Sequence, residues 1–147
     1  MKYKNPNTVL VVIYAEDTHR VLMLQRKDDP EFWQSVTGSL AEGETPWQTA
    51  QREVREETGL EPTTLFDCDY SVRFEIFPHF RYKYAPNVTH CLEHWFLLPL
   101  KQESAVLLSE HLDYRWLPPQ EAADLTKSPN NAEAIRQYLI PDSVIYK

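Results

Sequence analysis

The chain has 147 residues, 42% of them hydrophobic and 25% charged, and a formal net charge of −7. That balance excludes a fibrous or disordered polypeptide, and the acidic surplus argues against electrostatic capture of nucleic acid while leaving room for an anionic substrate bridged by cations. One domain over 1–147 is expected, and no apolar run is long enough to cross a bilayer nor any N-terminal segment built like a secretory leader, so a cytoplasmic location without a membrane partner follows.

In chain order, "TVLVVIYA" (8–15) and "RVLMLQR" (20–26) read as two antiparallel strands, apolar enough to be buried on both faces. "KDDPEFWQSVTGSLAEGETP" collects two of the three glycines and several acids, and reads as mostly loop with a short strand at Trp33–Thr37. A helix over 46–58 is announced by Thr45 as N-cap, Pro46 at the first position, Gln48 completing a capping box and Gly59 after the last turn. Beyond Pro62, "TTLFDCDYSVRFEIF" and "THCLEHWFLLPL" alternate as strands do, with "PHFRYKYAPN" a turn or connecting loop between them. "YRWLP" (114–118) is a further short strand, followed by helices at about 119–125 and 131–139. Cys68 and Cys91 lack metal or redox-motif spacing and read as reduced thiols.

The helix over 46–58 carries the chemistry. At about 100° per residue, Glu53, Glu56 and Glu57 fall within about one third of its circumference, while Ala50 and Val54 form an adjoining apolar strip. Like charges at such spacings repel by a few tenths of a kcal/mol per pair, and a divalent cation would offset the repulsion. Taken alone, "REVREE" reads more readily as a solvated face with an Arg52–Glu56 ion pair. Its surroundings decide between the two.

Residues 38–60, "GSLAEGETPWQTAQREVREETGL", run G-x5-E-x7-R-E-V-x-E-E-x-G-L and resemble the Nudix box at each defined position. The resemblance implies an α/β/α sandwich with a mixed sheet, a loop–helix–loop catalytic motif, and hydrolysis of a phosphoanhydride by water. Hard cations prefer oxygen ligands, so Mg²⁺, with Mn²⁺ as a substitute, fits Glu53 and Glu57 with Glu56 beside them. Gly38 would let the backbone carbonyl approach the ion, and Arg52 is expected to pair with Glu44 and orient the carboxylates. Relatives commonly add a glutamate from a later loop; here Glu110 in "LLSEHLDYRWLP" is favoured over Glu103 and Glu121, and His111 is taken as a polar loop residue.

The stretches "LVVIYAEDTHRVLMLQRKDDPEFWQSVTGS", "FEIFPHFRYKYAP", "SEHLDYRWL" and "LTKSPNN" are similar to one Nudix subgroup, which acts on dihydroneopterin triphosphate. The resemblance implies a small-molecule triphosphate substrate and release of pyrophosphate; a monomer or weak homo-oligomer is expected. Lys4 and Arg26 are then candidate phosphate binders, or plain surface cations, and Thr37 a hydroxyl donor. Phe74, Ile76 and Phe77 could pack on a heterocycle whose amino-pyrimidinone edge Glu75 would bind, or "FEIF" is an ordinary strand with core phenylalanines. Ser128 either contacts ligand or caps the last helix. Guanine presents the same edge as a pterin, so a nucleoside triphosphate pyrophosphatase is the alternative, and a non-catalytic nucleotide-binding module a second.

Overall fold

In the computed structural model, which describes residues 2–141, β1 (Asn7–Ala15) forms the centre of one mixed sheet. On one side it runs parallel to β6 (His90–Leu100), which pairs antiparallel with the edge strand β5 (Phe66–Glu75). On the other it meets two partners end to end: β4 (Val36–Ser39) along Thr8–Val11 and β2 (Val21–Gln25) at Tyr14. β2 also pairs with β3 (Trp33–Gln34) and β7 (Tyr114–Leu117).

Strand alternation splits β1 between two cores. Val9, Val11 and Ile13 pack with Ala50 and Val54 of α1 (Pro46–Thr58). Leu10 and Val12 face the opposite way, toward α2 (Pro119–Leu125) and α3 (Pro129–Leu139), and join Ala122, Ala123, Ala134 and Ile135. These β1 residues are at most 1% exposed, because each face of the sheet carries helices. The result is the α/β/α sandwich expected from the sequence.

The segment at Trp33–Thr37 is two strands rather than one. Gln34 pairs with Leu24 of β2 whereas Val36 pairs with Val11 of β1, so the chain changes partner at Ser35. Its amide there donates instead to Asn131 Oδ1 at 2.7 Å. Within "PHFRYKYAPN", Pro78–Lys83 forms a 3₁₀ helix that buries Phe80. The last helix begins at Pro129, two residues before the expected start, because Ser128 Oγ accepts from Asn131 N at 3.2 Å.

Helix α1 has the expected bounds. Thr45 Oγ1 accepts from Gln48 N at 3.2 Å, and Gln48 Oε1 accepts from Thr45 N at 3.0 Å. Gly59 ends the helix at φ 74°, a conformation costly for other residues. Thr45→Ala removes the hydroxyl half of this box and should lower stability by about 1 kcal/mol. Chemical denaturation would detect it; an unmoved midpoint would show that the box contributes nothing.

Candidate active site

Strand β4 lays Thr37 and Gly38 beside the acidic face of α1. A methyl group on Gly38 would overlap the Glu53 carboxylate, so glycine is what lets that side chain lie against the strand. The Glu53 and Glu57 side chains are only 14% and 9% exposed. Burial raises the pKa of each, and for Glu57 the charge of Glu53 adds to the rise. Glu57 Oε1 is buried without a hydrogen-bond partner.

Arg52 organises the near side. Its Nε and Nη2 grip Glu44 at 2.7 and 2.8 Å, its Nη1 reaches Glu56 at 3.1 Å and Glu53 at 3.3 Å, and Nη2 donates to the Ser39 carbonyl at 3.2 Å. The guanidinium holds the Glu44 carboxyl down to about 2. A carboxyl depressed from 4.5 contributes stability that is present above 4.5 and lost as pH falls toward 2. Glu44→Gln should therefore flatten the acid limb of stability within that window, read as urea midpoints between the two values; an unchanged limb would contradict the pairing.

Glu56 departs from the expectation that it joins Glu53 and Glu57. Its side chain is 55% exposed and turned to Arg52, whereas those of Glu53 and Glu57 are largely covered. The helix supplies the angular proximity, but the guanidinium draws this third carboxylate to the solvent side.

The loop after β6 closes the far end of α1. Leu107 N donates to Thr58 O at 2.9 Å and Ser109 Oγ to Glu56 O at 2.7 Å. Glu110 thereby lines the cleft with Glu57 and adds to the rise in its pKa. Of its two competitors, Glu103 is tied to Arg20 at 2.7 Å and Glu121 lies in the first turn of α2. His111, expected to be an ordinary loop residue, brings Nε2 to 3.7 Å from Glu57 Oε1; burial and the nearby Arg26 charge lower its pKa.

Cations face these carboxylates. Lys4, Arg26, Lys27 and Lys83 line the same cleft. Arg26 forks onto Asp28 at 2.8 and 2.7 Å, donates to Gln34 Oε1 at 3.0 Å, and lies 4.2 Å from the centre of the Phe80 ring. Lys83 also bonds Asp28, and the two cations hold that carboxyl well below the usual range. The Lys4 residue is exposed, yet burial of its ammonium and the nearby Lys83 and Arg26 lower its pKa. Four cations against the three carboxylates of Asp28, Glu57 and Glu110 leave the cleft lining with a positive excess, which suits a polyanion.

Behind this cleft lies a second cavity, open at its mouth and walled by Phe32, Phe74, Ile76, Phe77 and Phe80. Lys4, Arg26, Gln34, Thr37 and Lys83 line both. Gln34 Nε2 donates to Thr37 Oγ1 at 3.1 Å, which leaves the threonine O–H free to donate elsewhere. Ser128 lines the inner cavity and also caps α3, so its two readings are compatible. Glu75 does not enter it. It is exposed at the end of β5, since strand parity sends Phe74 and Ile76 to the cavity and the residue between them outward. The carboxylate that does line the cavity is Glu93 on β6, 6% exposed. Its signal was available: Cys91, Glu93 and Trp95 share one strand face, and an acid between two apolar residues there is out of place in a solvated pattern.

The donor set suits a hard divalent cation: an orphaned buried oxygen on Glu57, a second buried carboxylate one turn away, and Glu110 opposite. Among the described residues no three of His, Cys, Asp and Glu already converge as a ligand cluster.

Carboxylates on one helix, a glutamate-bearing loop and facing cations, set on a mixed sheet, suit hydrolysis of a phosphoanhydride. The chain belongs to the Nudix family, whose NUDIX domain matches residues 4–138. It is 61% identical over 143 residues to the dihydroneopterin triphosphate diphosphatase of Haemophilus influenzae, covering 95% of this chain and 90% of that one. Against the enzyme of the same name from Escherichia coli (strain K12) it is 56% identical over 142 residues, covering 94% and 95%. The solved E. coli dihydroneopterin triphosphate pyrophosphohydrolase superposes with a TM-score of 0.93 at 54% identity, over 96% of this chain and 99% of that one. Divalent metals are general to Nudix hydrolases, and no helix among the described residues is long and apolar enough to cross a membrane.

Proposed function

We propose that this chain is a single-domain, cytoplasmic, Mg²⁺-dependent pyrophosphohydrolase that converts dihydroneopterin triphosphate to dihydroneopterin monophosphate and pyrophosphate. The observation that carries the reading is that a cleft of cations and carboxylates opens, through shared Lys4, Arg26, Gln34, Thr37 and Lys83, into an aromatic cavity suited to a flat ring. Two high-identity relatives bear the name of that activity.

Glu53, Glu57 and Glu110 would hold the ion, with the Gly38 backbone against it. Mg²⁺, or Mn²⁺ in its place, supplies neutralisation of phosphate charge and a water of lowered pKa. Arg52 keeps the carboxylates oriented through its bonds to Glu44 and its proximity to Glu53. Lys4, Arg26 and Lys83 bind the phosphate oxygens, Thr37 donates its hydroxyl, and the phenylalanines hold the ring out of water. Water adds to phosphorus, one P–O–P link breaks, and pyrophosphate leaves.

Initial rates of pyrophosphate release from dihydroneopterin triphosphate, dGTP and ATP at matched concentrations test this. The pterin substrate should be turned over fastest. A preference for an ordinary nucleotide would remove the assignment and favour the nucleotide-pool alternative.

A further inference from the structure

Glu93 is the one carboxylate among the described residues lining the inner cavity, beside its phenylalanines and the cations shared with the cleft, and burial pushes its pKa up to about 7. β6 fixes it between Thr8 of β1 and Val72 of β5 in the sheet register, so the backbone cannot turn it outward. Trp95 Nε1 donates to its Oε1 at 3.0 Å, and Asn130 is a second side-chain donor. An ionised carboxylate offers about four acceptor sites, so these two donors leave capacity unused on the side that faces the cavity. Of the other polar groups lining the cavity, Asn131 bonds Ser35 N at 2.7 Å and Ser35 Oγ at 2.9 Å and Gln34 is held by Arg26 and Thr37, whereas Ser39 Oγ is buried without a partner. Removal of a charged group from water at this depth is unfavourable unless donors come to it. The cavity leads to the cation-lined cleft, so a ligand whose phosphates lie there presents its ring here.

We propose that Glu93 is the residue that selects the ring, accepting two parallel N–H bonds from the amino-lactam edge of a 2-amino-4-oxo heterocycle while the phenylalanines cover its faces. The inference rests on the proposed triphosphate hydrolysis and adds to it the group that discriminates among substrates. Two adjacent acceptors match two adjacent donors, the edge common to pterin and guanine. Adenine offers one donor and one acceptor, so its ring nitrogen lone pair would face a carboxylate oxygen unpaired, and a site of that kind rejects the mismatched ring strongly. The aromatic walls, not Glu93, must then separate pterin from guanine.

Glu93→Gln tests this, since it keeps the shape and converts acceptor–acceptor into acceptor–donor, the complement of adenine. KM for dihydroneopterin triphosphate and for GTP should rise on the order of 10-fold or more with kcat little changed, and the kcat/KM preference for either over ATP should fall on the order of 100-fold. A preference retained in the variant overturns the role of Glu93 while leaving the proposed reaction intact; absence of any pterin preference in the unsubstituted enzyme overturns the reaction itself. A measurement on the unsubstituted enzyme guards against a variant that fails to fold: dihydroneopterin and guanosine, without phosphates, should compete with substrate at concentrations where adenosine does not. Equal competition by all three would equally sink the proposal.

Discussion

Glu57→Gln should lower kcat by about 100-fold or more while raising the melting temperature of the metal-free protein, because losing a metal-orienting group alone commonly costs 10–100-fold. The two effects share one cause. Glu57 is 7% exposed, its Oε1 lacks a partner, and burial together with Glu53 raises its pKa well above the ordinary value. For an acid with a raised folded-state pKa, the favourable contribution is present below its unfolded value of 4.5 and is lost as pH rises toward the folded value. The metal-free fold is therefore least helped by this group near neutrality, the condition under which a cation would bind it. Glutamine removes the charge and keeps the volume. Each kcal/mol regained would appear as roughly 2–4 °C in a domain of this size. Calorimetry in chelator, with pyrophosphate release assayed in Mg²⁺, reads both; full activity, or a lower melting temperature, would contradict the site.

The second large effect is expected at Gly38. Alanine there places a methyl group on the Glu53 carboxylate, and β4 cannot withdraw because Gly38 is in register with Val9 of the buried central strand. The side chain of Glu53 must move, with an activity loss on the order of 10–100-fold by displacement of an oriented ligand and an overpacking cost of about 1–3 kcal/mol. A double-mutant cycle isolates the collision. In a Glu53→Ala background, Gly38→Ala should cost little stability, because the overlapping group is gone. Equal destabilisation in both backgrounds would place the fault elsewhere on the strand.

What could be read from the chain alone follows from how local each feature is. The capping box, Gly59, the i,i+4 relation of Glu53 and Glu57 and the Glu44–Arg52 spacing lie within one loop and one helix, so short-range geometry determines them. The mixed sheet was foreseen through the family resemblance, and its two-sided burial through the apolar run of β1. The inner cavity was only partly legible. Phe74, Ile76 and Phe77 do line it, but that Glu75 turns away while Glu93, which the sequence reading did not single out, looks inward is settled by pairing among β1, β5 and β6 far apart in the chain. Glu56 shows a second limit: angular position on a helix does not say which neighbour a carboxylate will meet, and in this structure it meets Arg52. Lys83 sits in a segment read as a connecting loop, whose 3₁₀ turn brings it to Asp28.

Whether carboxylates of α1 hold a divalent ion that drives hydrolysis of a ring-bearing triphosphate is read from the initial rate of pyrophosphate release from dihydroneopterin triphosphate by chelator-treated protein as Mg²⁺ is restored. The rate should start near zero and climb to a plateau at a concentration that Glu57→Gln shifts upward. Turnover that persists undiminished in excess chelator would contradict the account.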